Sequence, residues 1–196
     1  MNAPPATSAD TPVDMAWRGL LLAGGRSSRM GRDKAWLPWQ GKPLWRWTRD
    51  LLLDAGAREV VVSGDLPDAG GVPDPMPGGG PAAALAHLAP RLADGDWLVV
   101  PVDMPHLSPA LLHALLRPAA ACVGFRRHPL PMRLRLDARS RGVLAALATR
   151  TGRACSLQRL QDDLEAARLD DAPWQDALAN CNTPEEWRRA SETPRG

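Results

Sequence analysis

The chain has 196 residues, enough for one folded domain, and its hydrophobic and charged contents of 44% and 23% are those of an ordinary globular protein. Its formal net charge of +2 is too small for a general nucleic-acid binder, so we expect no nucleic-acid partner. Three widely spaced cysteines without a CxxC pair argue against a disulfide framework or a structural zinc site, and they favour a cytoplasmic location.

The N-terminal segment differs in composition from the rest of the chain. Residues 1–16 contain three prolines and no apolar stretch, which predicts a flexible tail rather than an export signal. We therefore expect a single domain over 17–196. No later apolar run approaches the length of a membrane span, so we expect no membrane contact.

Strand and helix patterns alternate through the first half of the domain. The predicted elements are a strand over 18–23, a helix over 43–55, a strand over 59–62, a helix over 81–92, a strand over 97–102 and a helix opened by Ser108 and Pro109. The strand over 97–102 is apolar on both faces, as a central parallel strand must be.

The second half continues the alternation. It contains predicted strands over 121–125, 132–136 and 167–169, helices over 140–149 and 156–166, and a terminal helix opened by a capping box at 183–186. In the strand over 132–136, Arg133 and Arg135 alternate with apolar residues, which predicts a half-exposed strand. Together these elements predict a three-layer α/β fold around a mostly parallel central sheet, with ligands at the carboxyl ends of its strands.

A glycine-rich basic loop follows the first strand. Gly24 and Gly25 allow the backbone to approach a ligand closely, and arginines at 26, 29 and 32 together with Lys34 supply positive charge. The spacing fits neither GxxxxGK[ST] nor GxGxxG. The loop therefore predicts a phosphate site of another kind, with an ordinary solvated glycine loop as the alternative.

Acidic residues mark two further candidate positions. Asp103 comes directly after the buried strand, where it is well placed to hold a divalent cation, and a turn cap near Pro105 is the alternative. Asp74 precedes a glycine-proline loop whose small residues leave room for a base or sugar, although an ordinary connection has the same composition. His128 lies among arginines between two predicted strands.

Five segments resemble a known family. LLLAGGRSSRMGRDK at 20–34, GKPL at 41–44, PDPMPGGGP at 73–81, PVDMPHL at 101–107 and NCNTPEE at 180–186 occur in the order seen in molybdenum cofactor guanylyltransferases, the MobA-type enzymes. The resemblance implies a Rossmann-like nucleotidyltransferase that uses Mg²⁺ to join GMP from GTP to the terminal phosphate of Mo-molybdopterin, releasing pyrophosphate. It also implies hand-over to molybdenum cofactor insertion or delivery proteins, and we expect a monomer.

The resemblance also implies roles for individual residues. The N-terminal half would bind GTP through Leu22, Ala23, Gly24, Gly25, Lys34, Ser63, Asp74 and Asp103. Asp103 would also bind the metal, and Arg29, Lys34 and Asp103 would be catalytic. The C-terminal half would bind the acceptor through His128, Arg153, Asn180 and Asn182. This chain departs from the family pattern at Ser63, where some members have asparagine, and at 82–84, where Ala-Ala-Ala replaces the usual Leu-Ala-Gly.

Three other functions remain open. A molybdopterin cytidylyltransferase resembles this chain but more often shows LAAG, whereas here Gly24 completes LAGG, and backbone groups near Ala23 and Gly24 could recognise guanine at O6 and N2. A sugar-phosphate nucleotidyltransferase shares the first motif. A non-catalytic GTP-binding module of a cofactor-delivery complex is the third alternative, which the presence of both Lys34 and Asp103 disfavours.

Overall fold

The computed structural model describes residues 16–24, 33–73, 79–150 and 152–192, and for Arg153 it describes the backbone without the side chain. The eight strands of these ranges are β1 (Trp17–Leu22), β2 (Pro38–Trp39), β3 (Lys42–Pro43), β4 (Val60–Ser63), β5 (Gly95–Pro101), β6 (Cys122–Phe125), β7 (Met132–Leu136) and β8 (Ala167–Leu169). The predicted flexible tail lies outside the described residues, apart from Ala16.

Six strands form the central sheet in the order β4-β1-β5-β7-β6-β8, and β2 and β3 form a separate two-stranded ribbon. β1 pairs in parallel with β4 and β5, and β6 pairs in parallel with β8. β7 is antiparallel to both of its neighbours. The prediction of a mostly parallel sheet is therefore confirmed, and the carboxyl ends of the five parallel strands share one edge.

The described α-helices are α1 (Leu44–Asp54), α2 (Gly80–Leu88), α3 (Pro109–Leu116), α4 (Ala138–Ala148), α5 (Leu157–Asp163) and α6 (Pro184–Glu192). Each of the predicted helices is present, with bounds that differ by a few residues. The predicted caps of α3 and α6 are confirmed, because Ser108 Oγ accepts from the Leu111 N–H and Thr183 Oγ1 accepts from the Glu186 N–H. None of the described helices is long and apolar enough to cross a bilayer.

Two hydrophobic clusters lie between the sheet and the helices on its two faces, which gives the predicted three layers. One packs α1, α3 and α6 against Leu21 and Leu98, and the other packs α2, α4 and α5 against Leu20 and Val99. Adjacent residues of β1 point into opposite clusters because successive side chains of a strand face opposite sides of the sheet. This explains why β1 and β5 are apolar on both faces.

The expectation that β7 is half exposed is wrong at Arg133. Its side chain is 2% exposed, while Arg135 on the same face remains in solvent. The Arg133 guanidinium donates to the carbonyl oxygens of Leu116 and Pro118 at 3.1 and 2.8 Å, and to that of Ala120. The buried charge is thus compensated by the turn that follows α3 and by Asp96, 3.8 Å away.

Candidate active site

A cleft of about 540 Å³ opens at the carboxyl ends of β1, β4 and β5. Predicted site residues from both halves of the chain line it. These residues are Leu22, Ala23, Gly24, Lys34, Ser63, Asp103, His128 and Asn180. Gly80, Pro81 and Ala84, at the start of α2, form another part of the wall. The cleft therefore lies where ligands of open α/β sheets bind.

A short helical turn places Lys34 at this cleft. The carboxylate of Asp33 accepts the Ala35 N–H at 3.0 Å and caps a 3-10 helix over Lys34–Trp36. Ala35 is completely buried, which anchors the turn in the core. The Lys34 side chain is 15% exposed, so most of its length is covered by protein.

Lys34 joins two other predicted site residues. Its Nζ donates to Oδ2 of Asp103 at 3.0 Å and to Oδ1 of Asn182 at 2.6 Å. These partners lie 69 and 148 residues away in the sequence, so the fold brings three distant segments together at one ammonium group. The Asp103 carboxylate therefore makes a tertiary contact rather than only a local turn cap. A lysine between two oxygens at a cleft is suited to meet a phosphate that displaces one of them.

The turns after β1 and β4 pack backbone against backbone. The Ala23 N–H donates to the carbonyl oxygen of Ser63 at 2.8 Å. Gly64 has a φ of +134°, and a Cβ there would lie 2.8 Å from the Gly24 nitrogen. Only glycine fits this position, and the contact fixes the Gly24 backbone in the cleft wall. Because the Ala23 N–H is used within the fold, it is not available to recognise a base.

The opposite side of the cleft is held by a carboxylate. Asp171, which is 8% exposed, accepts the Arg127 N–H at 3.1 Å and lies 3.5 Å from Nδ1 of His128. These contacts fix the connection between β6 and β7, which carries His128 into the cleft. The Cys181 N–H donates to the Asp103 carbonyl oxygen at 2.8 Å, so the 180–182 segment is attached directly to the end of β5.

Cys181 lies close to the site, and its thiol is protonated at neutral pH. Burial, followed by the negative charges of Glu186 and Asp103, raises the pKa of its thiol to about 11. Glu186 behaves in the opposite way, because hydrogen bonds from the backbone, first that of Asn182, lower the pKa of its carboxyl. The thiol therefore remains protonated and the carboxyl remains ionised over the neutral range.

Sequence reasoning missed three residues that position the site: Asp33, Gly64 and Asp171. Asp171 is the second of two acids after β8, so the rule that selected Asp103, an acid directly after a strand, points to the exposed neighbour Asp170 instead. Asp33 stands within the basic loop, where an aspartate directly before a helical turn indicates a cap. No signal in the sequence reveals the close approach of Gly64 to Gly24, since it depends on the packing of two distant turns.

Several predicted site residues fall outside the described part of the chain. Gly25, Arg29 and Asp74 belong to this group, as does the side chain of Arg153. Their assignments remain predictions. The other predicted site residues are described. Asn182 reaches the cleft through Lys34. The cleft is lined by Leu22, Ala23, Gly24, Lys34, Ser63, Asp103, His128 and Asn180.

The oxygen atoms of the cleft fit a divalent cation that arrives with a nucleotide. The Asp103 side chain is 21% exposed and faces the cleft. Over the described ranges, no group of three or more His, Cys, Asp or Glu side chains forms a complete protein cage for a metal. Mg²⁺ is commonly held by one or two carboxylates, substrate phosphates and water. A single carboxylate beside a phosphate site therefore suits this kind of ion.

Known proteins resemble the chain in both sequence and fold. The model of the MobA-like NTP transferase domain matches residues 19–169. A molybdenum cofactor guanylyltransferase from Xanthomonas euvesicatoria is 49% identical over 176 residues, which are 88% of this chain and 93% of that protein.

Two solved structures share the fold. The molybdopterin-guanine dinucleotide biosynthesis protein A of Archaeoglobus fulgidus superposes with a TM-score of 0.69 at 19% identity, over 89% of this chain and 97% of that one. A Mycobacterium tuberculosis protein solved in complex with manganese superposes with a TM-score of 0.60 at 20% identity, over 91% of this chain and 100% of that one. With the match of the family model over most of the domain, these findings show that the chain belongs to the MobA-like NTP transferase family and is a nucleotidyltransferase.

Proposed function

We propose that this enzyme transfers GMP from GTP to the terminal phosphate of Mo-molybdopterin, forming the guanine dinucleotide cofactor and pyrophosphate. The observation that carries the proposal is the meeting of Lys34, Asp103 and Asn182 at a cleft walled by Gly24. This arrangement offers a lysine ammonium group and a carboxylate suited to a divalent ion beside a close-packed backbone, as phosphoryl-group chemistry requires. The similarity to a relative named molybdenum cofactor guanylyltransferase also supports the proposal.

In this proposal the nucleotide lies along the first side of the cleft. Gly24 and Ser63, which line the cleft, would contact the nucleoside, and Lys34 would meet the triphosphate. Asp103 would hold a divalent ion, which we propose to be Mg²⁺, and the ion would neutralise charge on the phosphates. Lys34 would exchange its contact with Asp103 for the phosphates and, with Arg29, stabilise the departing pyrophosphate.

The reaction needs no general base. A phosphate monoester with a second pKa of about 6 is largely dianionic at neutral pH and can attack the α-phosphorus directly. The new bond joins the acceptor oxygen to that phosphorus. The bond from the α-phosphorus to the bridging oxygen breaks, and pyrophosphate leaves with the electron pair. His128 and Asn180, on the other side of the cleft, would bind the acceptor.

The test supplies purified protein with GTP, Mg²⁺ and Mo-molybdopterin and measures pyrophosphate release. We expect release with GTP and a much lower rate with CTP. Faster release with CTP would make the enzyme a cytidylyltransferase, and activity only on a sugar phosphate would move it to that class. A thermal shift with GTP but no turnover would indicate a non-catalytic binding module.

We also propose a cytoplasmic, monomeric protein that folds as a single domain over 17–196 and passes its product to insertion or delivery proteins. The state of the cysteines supports the location, since all three lie in described ranges and none forms a disulfide. Light scattering of the purified chain at several concentrations tests the monomer. A mass that rises toward twice that of the chain would contradict it.

A further inference from the structure

The start of α6 has one hydrogen bond more than a capping box requires. In such a box the carboxylate accepts the backbone N–H of the capping residue, and the capping side chain accepts the backbone N–H of the carboxylate residue. Here Oε2 of Glu186 accepts from Thr183 N at 3.0 Å, and Thr183 Oγ1 accepts from Glu186 N at 3.2 Å. The same Oε2 also accepts from Asn182 N at 2.6 Å, one residue before the cap.

The extra bond acts on the residue that contacts Lys34. The main-chain nitrogen of Asn182 is held by Glu186, while its side-chain oxygen accepts from Lys34 Nζ at 2.6 Å. On the other side, Cys181 N donates to the Asp103 carbonyl oxygen at 2.8 Å. Asn182 is exposed, so packing alone does not fix its orientation. Hydrogen bonds at both ends of the segment determine where its amide oxygen lies.

We propose that Glu186 is a positioning residue for nucleotidyl transfer, which holds the Asn182 backbone so that the Asn182 amide keeps Lys34 oriented beside Asp103. The inference rests on the proposed role of Lys34 and Asp103. Within the described part of the chain, the hydrogen bonds of the Glu186 carboxylate go to the backbone at 182 and 183, so we infer that it acts through Asn182. Glu186 therefore affects the position of the Lys34 ammonium group, and a change in that position should alter kcat more than substrate affinity.

The carboxylate is suited to this role because it is ionised at neutral pH. Hydrogen bonds from the backbone lower its pKa, and the positive charge of Lys34 acts in the same direction. An ionised acceptor forms stronger bonds with N–H groups than a neutral one. Glutamine at the same position retains an oxygen acceptor and can form the same bonds more weakly.

The test compares four variants in steady-state kinetics. Glu186→Ala is expected to lower kcat about 10-fold, with KM for GTP changed less than about threefold. Glu186→Gln should recover kcat to within about threefold of the wild type. Glu185→Ala, in the same exposed first turn of the helix, should behave as the wild type. Thr183→Ala removes the other half of the capping box and should lower Tm while leaving kcat nearly unchanged.

A purely structural cap gives a different result. In that case Thr183→Ala and Glu186→Ala would lower Tm and kcat in parallel, and the proposal would be overturned. Unchanged kcat in Glu186→Ala would overturn it as well. In a Lys34→Ala background, Glu186→Ala should cause no further loss of turnover, because its effect passes through that lysine. An additional 10-fold loss there would contradict the route through Asn182.

A second measurement separates this inference from the proposed function. Glu186→Ala should accelerate alkylation of the buried Cys181 thiol more than Glu186→Gln does, because both variants remove the charge that raises the thiol pKa but only alanine also removes the hydrogen bonds to 182 and 183. Thr183→Ala should change the alkylation rate least. Wild-type protein that releases no pyrophosphate overturns the proposed function and with it the role in turnover. The alkylation rates then still decide whether Glu186 holds 180–182. Active wild type with unchanged alkylation and kcat in Glu186→Ala overturns the inference alone.

Discussion

The two sides of the cleft are held in place by different kinds of contact. On the side of β4, β1 and β5, main chain packs against main chain, with Gly64 directly on Gly24 and the Ala23 N–H on the Ser63 oxygen. On the side of β7, β6 and β8, the Asp171 carboxylate accepts the Arg127 N–H and lies beside His128 Nδ1. In the 180–186 segment, which is attached to Asp103, the Glu186 carboxylate likewise accepts two main-chain N–H groups. The first side is fixed by steric fit and the second by charge and hydrogen bonding. Substitutions should therefore damage the two sides in different ways.

The largest loss of activity is expected on substitution of Asp103, which makes contacts on both sides of the cleft. Its carboxylate contacts Lys34, and its carbonyl oxygen accepts from Cys181 N. Asp103→Asn removes a charge that would hold the metal and should lower kcat at least about 100-fold, with little change in Tm. Pyrophosphate release and thermal melts measure the two effects. Asp68→Asn, at an exposed acid, is the control, and a loss of stability as severe as the loss of activity would favour a purely structural Asp103.

The second largest effect is expected at Gly64, which lies only on the side of the cleft that is fixed by steric fit. Gly64→Ala places a methyl group 2.8 Å from the Gly24 nitrogen at a φ of +134°. Strained backbone of this kind costs about 1–3 kcal/mol, so we expect a lower Tm and a KM for GTP raised about 10-fold as Gly24 is displaced. Steady-state kinetics with varied GTP and thermal melts provide the measurements.

Gly70→Ala is the matched control for Gly64. Gly70 also has positive φ, +61°, but a Cβ there meets nothing within 4 Å. The variant should therefore lose some stability from the left-handed backbone and keep its affinity for GTP. Equal KM values for GTP in the two variants would show that the approach to Gly24 is irrelevant to the nucleotide.

Local sequence patterns predicted some features of the fold and the site, whereas contacts between distant segments could not be predicted. Asp103 was predictable because the carboxyl end of a buried parallel strand is a topological position that a local pattern reveals. The alternation of strands and helices likewise predicted the three layers. Arg133 was expected to be exposed because the strand pattern shows only that its side chain is polar. The pattern does not reveal the carbonyl groups of the turn after α3 that accept its hydrogen bonds and allow it to be buried. Lys34 was singled out, but its partner Asn182 lies 148 residues away and no local pattern joins them.

A smaller effect is expected on the electrostatic side at Asp171. Asp171→Ala removes the acceptor for the Arg127 N–H and the partner of His128, which frees the connection that carries His128 into the cleft. We expect KM for Mo-molybdopterin to rise about fivefold, in line with the loss of one or two hydrogen bonds, and KM for GTP to stay nearly constant. Asp170→Ala, at the exposed neighbour, is the control. A larger change in KM for GTP than for the acceptor would contradict the assignment of this side.

The smallest expected effect is on stability at alkaline pH, and it arises at the buried Cys122 of β6. Burial raises its thiol pKa from 9.0 to about 11, so the folded state keeps a proton that the unfolded state loses. The stabilisation is complete below pH 9 and is lost as pH rises through 11, at a cost of about 1 kcal/mol by pH 10. Melts between pH 8 and pH 10 should fall less steeply for Cys122→Ala than for the wild type, whereas Cys155→Ala should retain the wild-type slope. Parallel slopes in all three proteins would mean that alkaline destabilisation arises elsewhere than at this thiol.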